Sequence, residues 1–194
     1  MELVAGANAG CIPCLGGNNS FEKEIGMLLG VFTLFHVILS LIGIGSGLVV
    51  MYGLLDSKRL DGWTKLFLTT TVATSATGFL FPVHKFMPSH VIGLLSLAVL
   101  AIAIAARYRY GLAGGWRPTY VAMSAIALYF NVFVLVVQSF EKVPALKALA
   151  PTQSEPPFVV AQLAVLAIFV VVGVVGAFKF HDVPIRTAHA QAGR

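Results

Sequence analysis

Residues 66–84 read LFLTTTVATSATGFLFPVH, an uncharged stretch between Lys65 and Lys85 that carries six hydroxyls, at Thr69, Thr70, Thr71, Thr74, Ser75 and Thr77. In a helix each hydroxyl can bond back to a carbonyl one turn earlier, so such a run is tolerated in lipid. Whether this stretch crosses a bilayer fixes the number of crossings, because four other uncharged windows, 25–55, 86–106, 118–140 and 156–178, are plainer. About 20 apolar residues span roughly 30 Å of hydrocarbon as a helix. All five windows qualify by length, with 25–55 longer than needed and 66–84 the shortest. Runs such as Val165–Val175 and Leu94–Ala106 do not alternate polar with apolar residues, as a membrane β-barrel requires.

The expected fold is an all-α integral membrane protein, a bundle of five transmembrane helices over 25–55, 64–83, 89–107, 118–140 and 157–179. These helices make up a domain from 25 to 180, preceded by a flexible external tail, 1–24, and followed by a cytoplasmic tail, 181–194. Composition leads to the same class. The 194 residues are 58% hydrophobic and 11% charged, with a mean hydropathy of +0.88. Soluble domains carry about 25% charged residues, and a chain this small could not bury so much apolar surface in water. An ordinary soluble enzyme, a nucleic-acid-binding module and a disordered scaffold are therefore excluded. Prolines mark the boundaries: Pro118 and Pro156-Pro157 open helices, while Pro82 and Pro88 flank a turn. Trp63 and Trp116, beside Lys65 and Arg117, read as interfacial anchors.

Five crossings put the termini on opposite sides. The N-terminal side then holds four basic residues, Lys23, Lys85, Lys142 and Lys147, against nine on the other, from Lys58 and Arg59 to Arg194. Positive charge stays in the cytoplasm, which predicts the N-terminus outside and the C-terminus inside, and explains the net charge of +5 without a polyanionic partner. Residues 1–20 lack the basic and apolar regions of a cleavable signal. Cys11 and Cys14 have redox-motif spacing but no surrounding βαβ pattern, so an external disulfide or idle thiols are expected. The segment 141–157 reads as a short interfacial turn, with Leu146 and Leu149 against the outer leaflet.

Gly26 with Gly30, Gly43 with Gly47, and Gly173 with Ala177 have the spacing of helix-packing devices. The hydroxyl-rich helix reads as an interhelical packing face or, alternatively, as the lining of a hydrophilic path. No Asp, Glu, Lys or Arg lies inside the five windows, which removes the groups on which pumps and proton-coupled transporters rely. Gly-rich phosphate loops, HExxH pairs and nucleophile elbows are missing too, so an enzyme is not the expectation.

Histidine is the exception. Measured from the cytoplasmic ends at about 1.5 Å per residue, His36 and His90 stand roughly 28 and 24 Å up their helices, and Gln138 and Gln162 fall in the same band. Four helices thus bring one polar, ligand-capable side chain each to a matched height near the outer face. His36 and His90 could be axial ligands of one haem b, coordinate a (bacterio)chlorophyll magnesium, or bond a quinone carbonyl. With His84 they could make a copper or zinc site. The plainer alternative is that His36 bonds to a hydroxyl or amide on a neighbouring helix and His90 sits in the interface.

Three phrases, TTVATSATGF (Thr70–Phe79), Pro88-Ser89-His90 and the stretch Asn131–Phe158, resemble a group of small bacterial inner-membrane proteins of unassigned activity. The resemblance covers about Met27 to Phe180 and implies a multi-pass protein of the bacterial inner membrane. It brings no cofactor or site residues. The expected function is that of an auxiliary or structural subunit of a larger membrane complex, of electron-transport type, in contact with other subunits or with itself. The alternative is a small transporter or channel lined by the threonine-rich helix.

Overall fold

A computed structural model describes residues 19–80 and 88–180, with side-chain surroundings for 23–80 and 91–180. The described residues are helical, without a strand: α1 (Asn19–Leu55), α2 (Asp61–Gly78), α3 (Pro88–Ile104), a π-helical turn (Ala105–Arg109), α4 (Trp116–Lys142), α5 (Pro144–Leu149) and α6 (Pro156–Lys179). Four helical segments are long and apolar enough to cross a membrane, namely Lys23–Leu55, Val91–Arg109, Trp116–Lys142 and Pro156–Lys179. The hydroxyl-rich α2 is not among them. The first helix starts at Asn19, six residues before the expected position 25, so residues 19–24 of the expected tail are helical. The rest of that tail, the cysteine pair and the tail 181–194 lie outside the described residues.

The chain divides into two units, Met1–Phe35 and His36–Arg194. In the first, every described side chain is exposed except that of Phe32, and Thr33 Oγ1 donates to the Leu29 carbonyl at 2.7 Å. A Cβ on Gly26 or Gly30 would meet nothing within 4 Å, so within this unit the pair makes no packing contact.

In the second unit the helices run antiparallel to their sequence neighbours in steady registers. Along α1 and α2, Gly53 meets Leu60, Gly47 meets Phe67, Gly43 meets Thr70 and Thr71, and His36 meets Thr77. As one partner's number falls the other's rises by a nearly equal amount. From Gly53 to His36 this contact runs about 25 Å at the helical rise. Between α2 and α3 the pairs are Asp61 with Arg107 and Ser75 with Ser96. Between α4 and α6 they are Val121 with Gly176, Ala125 with Gly173, Tyr129 with Phe169, and Phe140 with Phe158.

Helix α4 is the hub, touching α2, α3 and α6. Its inward face, Tyr120, Val121, Ser124, Ala125, Ala127, Leu128 and Asn131, recurs at three- and four-residue steps and is buried. Phe67 of α2 and Leu100 of α3 complete the core with no exposure. The glycines at 43 and 47 permit the approach of α1. A Cβ on Gly47 would stand 2.6 Å from Leu128 Cδ1 and 2.9 Å from the Phe67 ring, and one on Gly43 3.2 Å from Thr70 Oγ1. Most of α6 is exposed, with Leu163, Ile168, Val171, Val174 and Phe178 outward, a surface that suits lipid.

Candidate functional site

The interior of the second unit is polar along one seam. On α2 the hydroxyls of Thr70, Thr71, Thr74 and Ser75 are buried, whereas Thr69 is exposed. Thr70 Oγ1 donates back to the Leu66 carbonyl at 2.7 Å. Asn131 Nδ2 of α4 donates to Thr71 Oγ1 at 3.4 Å, and Ser75 Oγ donates to Ser96 Oγ of α3 at 3.1 Å. The six hydroxyls therefore divide: one faces out, and most of the others face neighbouring helices. Asn131 and Ser96 belong to this seam, and sequence reasoning passed over them. Their signal was period: each is a buried polar residue within an otherwise mainly apolar helix.

His36 stands at the end of the same seam away from Asp61 and Arg107. Its Nδ1 lies 2.8 Å from Thr77 Oγ1. The Thr77 hydroxyl is itself 2.8 Å from the Ala73 carbonyl, to which it donates. The Thr77 hydroxyl thus links the His36 ring to the backbone of α2. The hydroxyl partner on a neighbouring helix is also the plainer alternative foreseen for this residue.

The other candidates fall out differently. Gln162 is buried, and its Nε2 donates to the Phe133 carbonyl of α4 at 3.2 Å, while its Oε1 is buried without a hydrogen-bond partner among the described residues. Gln138 is exposed. Continuing the α1–α4 approach, in which Gly43 neighbours Asn131 and Gly47 neighbours Leu128, carries His36 to the level of Gln138. The two share a height, but the Gln138 side chain is exposed at that level. His90 is helical in the first turn of α3, its side chain outside the described set, and His84 lies outside altogether. Among the described residues no three His, Cys, Asp or Glu side chains gather to hold a metal ion.

The opposite end of the bundle is charged. Arg107, the last residue of the expected span 89–107, has a side chain only 5% exposed that pairs with Asp61 at the start of α2. The wide π-helical turn brings its guanidinium inward, 5.3 Å from the centre of the Tyr120 ring and 5.7 Å from that of Tyr108. Nearby, Ser57 Oγ donates to the Lys179 carbonyl at 2.6 Å, which ties the end of α1 to the end of α6. Tyr110 and Trp116 stack with centroids 3.9 Å apart. Lys58, fully exposed, has its ammonium held protonated above its ordinary range, first by the hydrogen bond to Asp56 and then by the Asp56 charge.

At the His36 end, the loop before α6 is closed by Glu155, whose carboxylate accepts from the Thr152 amide, the Thr152 hydroxyl and the Ser154 amide. Desolvation pushes the Glu155 carboxyl up, but these hydrogen bonds outweigh it and hold it below the ordinary carboxylate range. No protein-family model, curated protein or solved structure matches the chain.

Proposed function

We propose that the chain is an auxiliary integral subunit of a larger membrane complex of electron-transport type, and that its outer polar layer contacts one haem, chlorophyll-type pigment or quinone through His36 and His90. The single observation behind the ligand contact is the orientation of His36. Thr77 holds the half-buried imidazole, with Nδ1 2.8 Å from its Oγ1, in a layer His36 shares in height with Gln138. Five crossings with the N-terminus outside belong to the same reading. They are supported by the antiparallel run of α2 along α1 over about 25 Å, and by the basic and aromatic residues, Lys65, Arg109, Tyr108 and Trp116 among them, at the end assigned to the cytoplasm. Placement in a bacterial inner membrane follows from the resemblance. A threonine-lined channel has less support, because the Thr71 and Ser75 hydroxyls are engaged with α4 and α3.

The test is the absorption spectrum of the detergent-purified protein, oxidised and reduced, with quinone extraction on the same sample. The reading expects a chromophore or bound quinone that the His36→Ala variant loses while keeping its helical content. Protein with neither, and with no co-purifying membrane subunit, overturns it.

A further inference from the structure

The charged end of the bundle has a second feature unrelated to His36. Between α2 and the end of α3 lies a cleft of about 520 Å³, within the range of small-molecule sites. Its α2 wall is Lys65, Leu68, Thr69, Val72 and Ala73, and its other wall is Ile104 with Tyr108. The cleft is graded. A cation and a phenol stand at the end near Asp61 and Arg107, and the rest is aliphatic apart from Thr69. From Lys65 to Ala73 the helix rises about 12 Å, most of one roughly 15 Å hydrocarbon leaflet.

The charge on Lys65 is the telling part. An acidic residue one turn earlier on a helix would ordinarily neutralise a lysine. Here that residue is Asp61, and its carboxylate is taken by the buried Arg107. Lys65 has no carboxylate within ion-pair distance among the described residues, and its exposed side chain lines one end of this cleft. A cation at an interface, at the end of a mainly aliphatic cleft that runs along most of one leaflet, matches an amphiphile with an anionic head.

We propose that this cleft is a binding site for one anionic phospholipid, with an acyl chain against Leu68, Val72, Ala73 and Ile104 and its phosphate at the Lys65 ammonium and the Tyr108 hydroxyl. The site rests on the membrane-spanning reading of the chain and is independent of any ligand at His36, so the two stand or fall separately. Tyr108 also covers Arg107, so the lipid headgroup and the Arg107–Asp61 pair lie side by side.

The experiment is native mass spectrometry of the full chain released from detergent, after incubation with phosphatidylglycerol or phosphatidylcholine of the same acyl composition. The wild type is expected to retain one phosphatidylglycerol in preference to phosphatidylcholine. One interfacial cation is worth about fivefold in binding, so Lys65→Gln should cut that preference by about this factor. Ala73→Phe, which fills the slot, should lower retention of both lipids, and Lys142→Gln, on the far side of the bundle, should change nothing. Equal retention of the two lipids by the wild type overturns the proposal. So does undiminished phosphatidylglycerol retention in both Lys65→Gln and Ala73→Phe, or a dimer that Ala73→Phe disperses, which would make a second copy the occupant. Circular dichroism and thermal midpoints of the variants identify a misfolded protein. If Ala73→Phe is one, Lys65→Gln decides alone.

Discussion

Gly47 shows how closely single positions are specified. The space a Cβ would need is held by Leu128 and Phe67, at 2.6 and 2.9 Å, whereas two residues earlier a Cβ on Gly45 would meet nothing within 4 Å. Overpacking a tight interior costs roughly 1–3 kcal/mol, and a helix-interior glycine at a free site gains by becoming alanine. Gly47→Ala should therefore lower the thermal midpoint in detergent, and Gly45→Ala should hold or raise it. Equal shifts in both would mean that α1 does not pack here. The four-residue spacing was legible in the sequence at Gly43 and Gly47, yet the same spacing at Gly26 and Gly30 is matched by no contact in its own unit, because spacing does not say which face has a partner. Arg107 closes the expected span 89–107, and sequence alone does not say where its charge points; the π-helical turn directs it inward to Asp61.

Among the elements, α2 was the hardest to read. Its hydroxyls have the spacing of an internal face, but only the structure shows which of them meet other helices. Thr71 holds Asn131, whereas Thr74 Oγ1 is buried without a hydrogen-bond partner among the described residues. Replacing a hydroxyl by a methyl of the same shape costs little where no partner is lost, and leaves an unpaired amide where one is. Thr71→Val should destabilise the protein by about 0.6–2 kcal/mol and Thr74→Val should be neutral or stabilising, as read by reversible unfolding in mixed micelles. The reverse order would contradict the seam.

The loop before α6 carries a pH dependence. Glu155 has a lowered folded-state pKa, so its contribution to the turn is fully present above the ordinary carboxylate range and is lost as pH falls through the lowered value. Protection of the Thr152 and Ser154 amides from hydrogen exchange should fall on acidification through that window, and Glu155→Gln should weaken it already at neutral pH. Protection independent of both would rule out the closure.

For the whole molecule, four helices declare themselves by apolarity and the fifth does not. If only the four crossed, both termini would share a compartment, and the matched height of His36, Gln138 and Gln162 would lose its meaning. What argues for α2 as a crossing is register rather than hydropathy. It keeps step with α1 from Leu60 to Thr77, nearly the thickness of the hydrocarbon. Such a segment is poorly legible in sequence because its hydroxyls lower its apolar score while hydrogen bonds to its own backbone and its neighbours meet their cost. The most direct measurement places single cysteines at Lys58→Cys, before α2, and Ala113→Cys, after α3, in a background with Cys11 and Cys14 replaced by serine, and labels them with a membrane-impermeant maleimide. With α2 crossing, both sites lie inside, shielded in intact cells and labelled together once the membrane is opened. Labelling of one and not the other in intact cells would contradict the account.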